Sequence, residues 1–317
     1  MEIRDSREVQ IRILLIGAAG QIGRELRRTL APLGDVVATD RSSLDLIDED
    51  AIRRVIRAAR PELIVNAAAY TQVDAAEAEP HLAMKVNARA PEVMADEAAR
   101  ARAALVHYST DYVFSGSLQR PYREDDPPDP INTYGKTKLA GERAIMTSGA
   151  PHLILRTSWV FGPNGKNFFS TILELARTRE ELKVVDDQIG KPNWSRSVAD
   201  ATARILMNLS SRGGNLVDKI AKQSGMVHVC GPDHISRYGY AQEIIALYER
   251  RAASLGLPPL CARRLIPVRS EEFPSPAPRP HYSVLSGEKM MMEFGVKLPS
   301  WREQLAVAFD NNLLGRI

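Results

Sequence analysis

The stretch Gly17-Ala18-Ala19-Gly20-Gln21-Ile22-Gly23 decides the fold of this 317-residue chain. It follows a short, β-rich apolar run, 11–16, and opens a segment whose apolar residues recur at helical spacing. Gly17 permits a tight turn, Gly20 lets a pyrophosphate approach the backbone, and Gly23 lets the helix pack closely on the strand. The helix N-terminus adds free N–H groups and a partial positive charge. The turn therefore predicts a dinucleotide-binding fold, although its GxxGxxG spacing differs from the GxGxxG of simpler folds.

Apolar strands and amphipathic helices alternate along the first half of the chain. After the first strand and a helix at 21–30, the further predicted elements are strands at 36–40, 63–66, 104–108 and 153–156, and helices at 48–59 and about 134–146. This alternation is typical of βαβ units, whose right-handed crossovers build a parallel sheet covered on both faces. We therefore predict an α/β fold with a Rossmann-like, doubly wound sheet.

The rest of the chain predicts a smaller C-terminal α/β lobe that binds substrate. Helices near 197–209 and 238–251 and a strand at 227–229 precede a proline-rich stretch, 273–280, which predicts a covering loop or lid. The predicted division is a dinucleotide-binding domain at 1–165, with a frayed polar extension at 1–10, and a lobe at 166–317. Some segments of the lobe are expected to return to the first domain.

Composition excludes several classes of protein. A hydrophobic fraction of 44% and a charged fraction of 26% are ordinary for a globular protein, and no run reaches the ~20 apolar residues of a bilayer span. The net charge of +3 is small and its basic residues are dispersed, so neither nucleic acid nor a membrane is an expected partner. Cys230 and Cys261 form no metal or disulfide pattern, and the charged N-terminus is unlike a signal peptide. We therefore expect a cytoplasmic protein.

Thr110, Tyr134 and Lys138 are the candidate catalytic residues. Tyr134 and Lys138 lie four residues apart on one face of a predicted helix. An ammonium beside the phenol would lower the pKa of Tyr134 and could hold a nicotinamide ribose. Thr110 ends the fourth strand, where open α/β sheets bind ligands, and could donate a hydrogen bond to a substrate carbonyl. A YxxxK spacing alone can equally be an exposed tyrosine beside a solvated lysine.

Asp40 and Arg41 leave the choice of cofactor open. Asp40, at the end of the second strand, would accept hydrogen bonds from the adenosine ribose and favours NAD. Arg41 follows it and could instead pair with the 2′-phosphate of NADP. NADPH and NADH therefore both remain candidates.

The chain resembles the extended short-chain dehydrogenase/reductases and, within them, the dTDP-4-dehydrorhamnose reductase family. The resemblance runs from Ile13 to about Trp301. The strings that carry it are Gly20-Gln21-Ile22-Gly23, Asn66-Ala67-Ala68-Ala69-Tyr70-Thr71, Val73-Asp74, Glu77, Glu79-Pro80, His107-Tyr108-Ser109-Thr110-Asp111-Tyr112-Val113-Phe114, Tyr134-Gly135-Lys136-Thr137-Lys138-Leu139-Ala140-Gly141-Glu142, Arg156-Thr157-Ser158-Trp159-Val160-Phe161, Asp187-Gln188-Ile189-Gly190 and Arg279-Pro280-His281-Tyr282-Ser283.

This resemblance implies hydride transfer from NADPH or NADH to the C4 ketone of dTDP-4-dehydro-β-L-rhamnose, giving dTDP-β-L-rhamnose. Tyr134 would protonate the developing alkoxide, Lys138 would hold the ribose and tune Tyr134, and Thr110 would assist at the carbonyl. The implied contacts of the dTDP-sugar are Thr110, Asp111 and Trp159, whose indole offers a flat surface to a sugar ring. The implied cofactor contacts are Gly20, Gln21, Ile22, Asp40, Asp45, Leu46, Ala69, Tyr70, Thr71, Tyr134 and Lys138. The glycine turn and the end of the second strand themselves add Gly17, Gly23 and Arg41 to this set.

Some members of that family are dimers bridged by Mg²⁺ that glutamates hold. Glu25 fits the first ligand position, but Arg196 occupies the second and Asn311 the third, and an arginine cannot ligate a cation. No metal site is therefore predicted, a Mg²⁺-bridged dimer is disfavoured, and a homodimer of another kind stays open. The acidic loop 124–126 is interpreted as solvated because prolines surround it.

Two other functions stay open from the sequence. A 4-keto reductase of another dTDP-deoxysugar would carry the same residues, because one sequence does not determine hydroxyl stereochemistry. The regulatory β subunit of methionine adenosyltransferase resembles this family too and acts by binding a partner. An intact set of Thr110, Tyr134 and Lys138 favours catalysis over that role.

Overall fold

The structure, a computed structural model, describes residues 11–211 and 213–310. The predicted extension at 1–10 and the third metal position, Asn311, lie outside the described residues. The described strands are β1 (Ile11–Ile16), β2 (Gly34–Thr39), β3 (Leu63–Asn66), β4 (Ala104–Thr110), β5 (His152–Thr157), β6 (Val160–Phe161), β7 (Glu181–Val185), β8 (Ile189–Gly190), β9 (Asn193–Trp194), β10 (Gly225–His228), β11 (Ile235–Ser236) and β12 (Arg264–Val268).

Helices lie between most of these strands. The described α-helices are α1 (Gln21–Thr29), α2 (Glu49–Ala59), α3 (Val73–Ala78), α4 (Pro80–Met84), α5 (Ala90–Ala101), α6 (Thr133–Thr147), α7 (Phe168–Thr178), α8 (Ser195–Ser210), α9 (Leu216–Lys222), α10 (Arg237–Leu255), α11 (Glu288–Phe294) and α12 (Trp301–Asp310). A π-helical turn, Lys85–Arg89, joins α4 to α5, and short 3₁₀ turns follow β4 and β12. In the part of the chain described, no helix is both long and apolar enough to cross a bilayer.

The central sheet confirms the predicted α/β, doubly wound fold. Its six strands are all parallel, in the order β10-β5-β4-β3-β1-β2. Side chains alternate between two cores: Ile13 and Leu15 pack with α1 and α8, whereas Leu14 and Ile16 pack with α2 and α5. Each fully buried aliphatic side chain of this kind stabilises the fold by roughly 1.5–3 kcal/mol. Apolar residues on both faces explain why these strands read as continuous apolar runs.

A strand from the second half of the chain completes the central sheet. The sequence places a strand at 227–229 in the lobe, but the structure pairs β10 in parallel with β5, with Val227 beside Leu155. Helix α8 likewise packs on α1, in the same core as the sheet. The chain therefore returns to the first sheet after leaving it.

The remaining elements form a smaller lobe beside the sheet. Helices α7, α10 and α12 enclose an aromatic core that includes Phe169, Tyr240 and Trp301, and the two-stranded pairs β7–β12, β6–β9 and β8–β11 cover it. The proline-rich stretch 273–280 forms neither helix nor strand, as predicted. Arg279 fixes its end through two hydrogen bonds to the carboxylate of Asp74 in α3, at 2.6 and 2.8 Å.

Candidate active site

The glycine turn between β1 and α1 leaves an open helix N-terminus at the sheet edge. Gly17 has a left-handed φ of +87°, and a Cβ on Gly23 would lie 2.0 Å from the Gly17 carbonyl oxygen. Gly20 starts α1 with no side-chain cap, and the first turn carries no acidic residue. Because the first intrahelical bond runs from Arg24 N–H to the Gly20 carbonyl (3.0 Å), the preceding N–H groups project from the helix end. This end can accept an anion.

A cleft of about 210 Å³ follows the carboxyl ends of β1, β2 and β3. The cofactor contacts predicted from sequence that line it are Gly17, Asp40, Arg41, Asp45, Leu46, Ala69, Tyr70 and Thr71. Leu82 and Val86 also line it and were missed, because nothing in their local sequence marks them. Ile22 packs against the sheet core, and the Gln21 side chain accepts a hydrogen bond from Asn167 at 3.1 Å.

The turn after β2 presents the two residues that bear on cofactor choice. Asp40 Oδ1 accepts hydrogen bonds from Ser42 N (2.9 Å) and Ser42 Oγ (2.6 Å). These bonds lower the pKa of Asp40, so its carboxylate is ionised at neutral pH. Arg41, beside it, is exposed. An acceptor and a cation therefore stand next to each other at the cleft.

The π-helical turn Lys85–Arg89 links Tyr70, which lines this cleft, to helix α6. Asn87 accepts a hydrogen bond from Tyr70 N (2.8 Å) and donates to Tyr70 O (3.0 Å) and Thr137 Oγ1 (3.1 Å). Asn87 is buried, and π-turns are frequent at functional sites. This link could not be predicted from the sequence, because a π-turn has no sequence signature of its own.

Tyr134 and Thr110 meet where β4 ends and α6 begins. Asn132 caps α6 by accepting from Gly135 N at 2.8 Å, which fixes Tyr134 in the first turn. Burial raises the pKa of Tyr134 above its ordinary value, and a hydrogen bond with Thr110 opposes that shift. The expected lowering of this pKa by Lys138 is therefore wrong for the described structure. Tyr134 is a neutral phenol at neutral pH.

Lys138 lies one turn beyond Tyr134 and is fully buried. Its Nζ donates to Tyr108 O at 2.7 Å and lies 3.1 Å from His107 Nε2. These contacts direct the amino group toward β4, which explains why it does not lower the pKa of the phenol. Burial lowers the pKa of Lys138 to about 8.

Asp111 is a buried carboxyl next to Thr110. Its Oδ2 accepts from Ser283 Oγ at 2.5 Å, and its Oδ1 accepts from Thr110 Oγ1 at 3.2 Å. Burial raises its pKa to about 6. Ser283 reaches it because Ser283 N donates to Ile189 O at 2.9 Å. The motif 107–114 and the motif 279–283 therefore meet at this site.

Trp159 lies at the same edge of the central sheet, on the side of the smaller lobe. It has a left-handed φ of +44°, and its indole lies so close to Gly190 that a Cβ there would be 2.4 Å from Cε2. The guanidinium of Arg237 lies 3.5 Å from the indole ring centroid. Arg237, the first residue of α10, was not among the predicted site residues. The Trp159 face expected to meet a sugar therefore carries a cation in this structure.

The structure also locates the residues considered for a metal. The Glu25 carboxylate lies 3.9 Å from the guanidinium of Arg28, and the guanidinium of Arg196 stacks on the ring of Trp194. The second expected ligand position therefore carries a guanidinium, which cannot bind a cation. The interpretation of loop 124–126 as solvated is wrong for Glu124. Its side chain is only 10% exposed and accepts a hydrogen bond from His228 N at 2.8 Å, because the loop folds onto the end of β10.

The chain is similar to known proteins over nearly its whole length. The model of the family described as the RmlD substrate binding domain matches residues 11–313. The dTDP-4-dehydrorhamnose reductase of Burkholderia thailandensis is 44% identical over 293 residues, covering 92% of this chain and 96% of that protein. The enzyme of the same name from Escherichia coli K12 is 41% identical over 297 residues, covering 92% and 94%.

A solved structure is similar over the same range. The crystal structure of dTDP-4-dehydrorhamnose reductase from Bacillus anthracis in complex with NADP has a TM-score of 0.80 and 32% identity, and the match covers 96% of this chain and 100% of that one. The resemblance drawn from the sequence motifs is thereby confirmed. The chain belongs to the RmlD substrate binding domain family, alongside the dTDP-4-dehydrorhamnose reductases.

Proposed function

We propose that this chain reduces the C4 ketone of dTDP-4-dehydro-β-L-rhamnose with NADPH or NADH, giving dTDP-β-L-rhamnose. One observation carries the proposal: the ring of Tyr134 lies 5.9 Å from that of Tyr112, in the turn that follows Thr110, at the same sheet edge as the cleft that the predicted dinucleotide contacts line. The family membership and the names of the relatives support the choice of substrate.

The described residues fit a dinucleotide. The uncapped N-terminus of α1 suits the pyrophosphate, and the cleft beside Asp40 and Arg41 suits the adenosine half. Lys138 retains N–H capacity beyond its bond to Tyr108 O and can hold the nicotinamide ribose. When bound, NADPH or NADH supplies the hydride.

Tyr134 is the proposed proton donor. Its raised pKa keeps the phenol protonated at neutral pH, so it can protonate an alkoxide as it forms. Thr110 Oγ1 donates to Asp111 Oδ1 in this structure, and its hydroxyl can orient the carbonyl once it turns from Asp111 to the substrate. Asp111 is itself held by Ser283, so the Thr110 side chain is positioned before substrate binds.

The dTDP-sugar is proposed to bind between this pair and the lobe. Trp159 supplies a flat surface, and Arg237 brings a positive charge next to it, which suits the anionic diphosphate of a sugar nucleotide. The proline-rich stretch is fixed to Asp74 through Arg279, and its Pro278 carbonyl accepts a hydrogen bond from Asn132, the cap of α6. We accordingly retain 1–165 and 166–317 as the proposed dinucleotide and sugar-nucleotide regions, with β10 and α8 returning to the first.

The test is to follow NADPH and NADH oxidation with enzymatically prepared dTDP-4-dehydro-β-L-rhamnose and to identify the product sugar by NMR. We expect oxidation with at least one cofactor and dTDP-β-L-rhamnose as the product. A product with another configuration would assign the chain to a different dTDP-deoxysugar. No oxidation with either cofactor would reject the proposal and favour the binding role of a regulatory subunit.

Three further expectations belong to this proposal. A cytoplasmic location and the lack of a nucleic acid partner remain predictions from composition. The oligomeric state, with a homodimer as one possibility, also stays an open expectation, which sedimentation of the purified chain would test.

A further inference from the structure

Two buried residues outside the predicted site reach the amino group of Lys138. Asn66, the last residue of β3, is paired in register with His107 in the middle of β4, and both are fully buried. His107 Nδ1 lies 3.0 Å from Asn66 Nδ2, and His107 Nε2 lies 3.1 Å from Lys138 Nζ. The imidazole therefore bridges an amide and an amino group.

A backbone group fixes which way the amide of Asn66 points. Ala68 N lies 3.1 Å from Asn66 Oδ1, and a backbone N–H can only donate, so the atom facing it must be the amide oxygen. The amide NH₂ then faces His107 Nδ1, which must accept. A neutral imidazole that accepts at Nδ1 carries its proton at Nε2.

That proton points at Lys138 Nζ. An Nε2–H group can donate to an amine, which has a lone pair, but it opposes an ammonium, which has none. With an amine, every group in the chain from Ala68 N–H to Tyr108 O has a partner. With an ammonium, the imidazole proton must move to Nδ1, where it meets the NH₂ of Asn66, or the amide must turn its NH₂ toward Ala68 N–H.

We propose that Asn66 and His107 form a positioning pair that stabilises the amine form of Lys138 and ties its protonation to the tautomer of His107. Uptake of one proton at Nζ converts the amine to the ammonium, and the imidazole proton shifts from Nε2 to Nδ1. Its use in catalysis rests on the proposed function. An ammonium opposed by this pair releases its proton more readily in a site where the Tyr134 phenolate must be reprotonated.

The charged and titratable groups around Lys138 agree with this coupling. Burial lowers the pKa of Lys138 to about 8, while Glu142, one turn further along α6, acts in the opposite direction. The Glu142 carboxylate is itself held by two hydrogen bonds from Arg156 of β5, at 2.8 and 2.7 Å. Burial and Lys138 together lower the pKa of His107 well below its ordinary value. His107 therefore stays neutral near pH 7, so its tautomer is the variable.

The test is ¹⁵N NMR of the histidine side chains in the free protein across the range in which Lys138 titrates. His107→Gln assigns the His107 signals. We expect the Nε2–H tautomer at high pH and conversion to Nδ1–H as the pH falls through about 8. A single tautomer at all pH values, or an imidazolium at neutral pH, would overturn the proposal.

Substitution of Asn66 separates coupling from simple packing. Asn66→Leu keeps the branching and the number of side-chain heavy atoms but removes both hydrogen bonds, so the tautomer midpoint should rise by about one pH unit, the shift equivalent to one net hydrogen bond. Asn66→Asp, which can accept from Ala68 N–H and from Nδ1–H together, should raise it further. An unchanged midpoint in a folded variant would contradict the pair.

The pH dependence of turnover provides the second readout. In both Asn66 variants, the alkaline limb of the kcat profile should move to higher pH by the same amount as the NMR midpoint. A fall in kcat with no shift of that limb would show a merely structural role for Asn66. Because the NMR titration needs no substrate, it can fail or succeed independently of the proposed reductase activity.

Discussion

The buried carboxyl of Asp111 should make the stability of this protein depend on pH in a specific way. Its side chain is 2% exposed, and burial raises its pKa from 3.8 to about 6 despite hydrogen bonds from Ser283 and Thr110. Ionising this carboxyl in the folded protein is therefore less favourable than ionising it in the unfolded chain.

The sign and size of the effect follow from that shift. Below pH 3.8 Asp111 is protonated in both states and costs nothing, and the cost grows as the pH rises to about 6. Above pH 6 it reaches about 3 kcal/mol, and between pH 5 and pH 8 it grows by about 1–2 kcal/mol. Asp111→Asn cannot ionise. The unfolding free energy of this variant, relative to the wild type, should therefore rise by that amount from pH 5 to pH 8.

Urea unfolding followed by circular dichroism at several pH values measures the difference. Asp126→Asn is the matched control, because two hydrogen bonds from Arg120 lower the pKa of Asp126 to about 2. Asp126 is ionised in both states between pH 5 and pH 8, so its variant should lose stability by a constant amount. If the Asp111→Asn curve runs parallel to the wild type instead, the carboxyl is not buried as described.

Three further substitutions probe the site. Gly23→Ala places a methyl carbon 2.0 Å from Gly17 O, so the free energy of unfolding, measured by thermal unfolding, should fall by about 1–3 kcal/mol and the KM for the dinucleotide should rise. Wild-type stability of this variant would contradict the close packing. Gly190→Ala displaces the indole of Trp159, so the KM for the sugar nucleotide should rise with little change in the KM for the dinucleotide, and an unaltered KM would remove Trp159 from the site. Arg41→Ala should raise the KM for NADPH about tenfold and leave that for NADH nearly unchanged, and equal effects on both cofactors would refute pairing with the 2′-phosphate.

The fold could be predicted largely because its information is local. The run 11–16 and the glycine turn specify a strand, a turn and a helix without reference to the rest of the chain. The destination of β10 could not be predicted, since four residues at 225–228 carry no signal that they pair with β5. Pairing across such a separation is determined by the shape of the whole core.

The candidate site was likewise predictable where its signal is local and unpredictable where it depends on packing. The YxxxK spacing together with the motif around Thr110 identified Tyr134 and Lys138, and the strand end identified Thr110. The direction of the Tyr134 pKa shift could not be predicted, because it depends on burial and on the contact of Lys138 with His107. Arg237 was missed for a similar reason, since only the packing of α10 places it on an indole from another segment.

The turnover of Tyr134→Phe tests the central claim most directly. Tyr112→Phe is the matched control, because its ring lies edge-on to that of Tyr134, with the centroids 5.9 Å apart, and has no assigned role in proton transfer. Cofactor binding by each variant is measured separately by fluorescence titration. If Tyr134 is the proton donor, kcat for the dTDP-sugar falls by about 10² or more in Tyr134→Phe, with cofactor affinity retained and only a small change in Tyr112→Phe. Near-normal turnover by Tyr134→Phe would contradict the account.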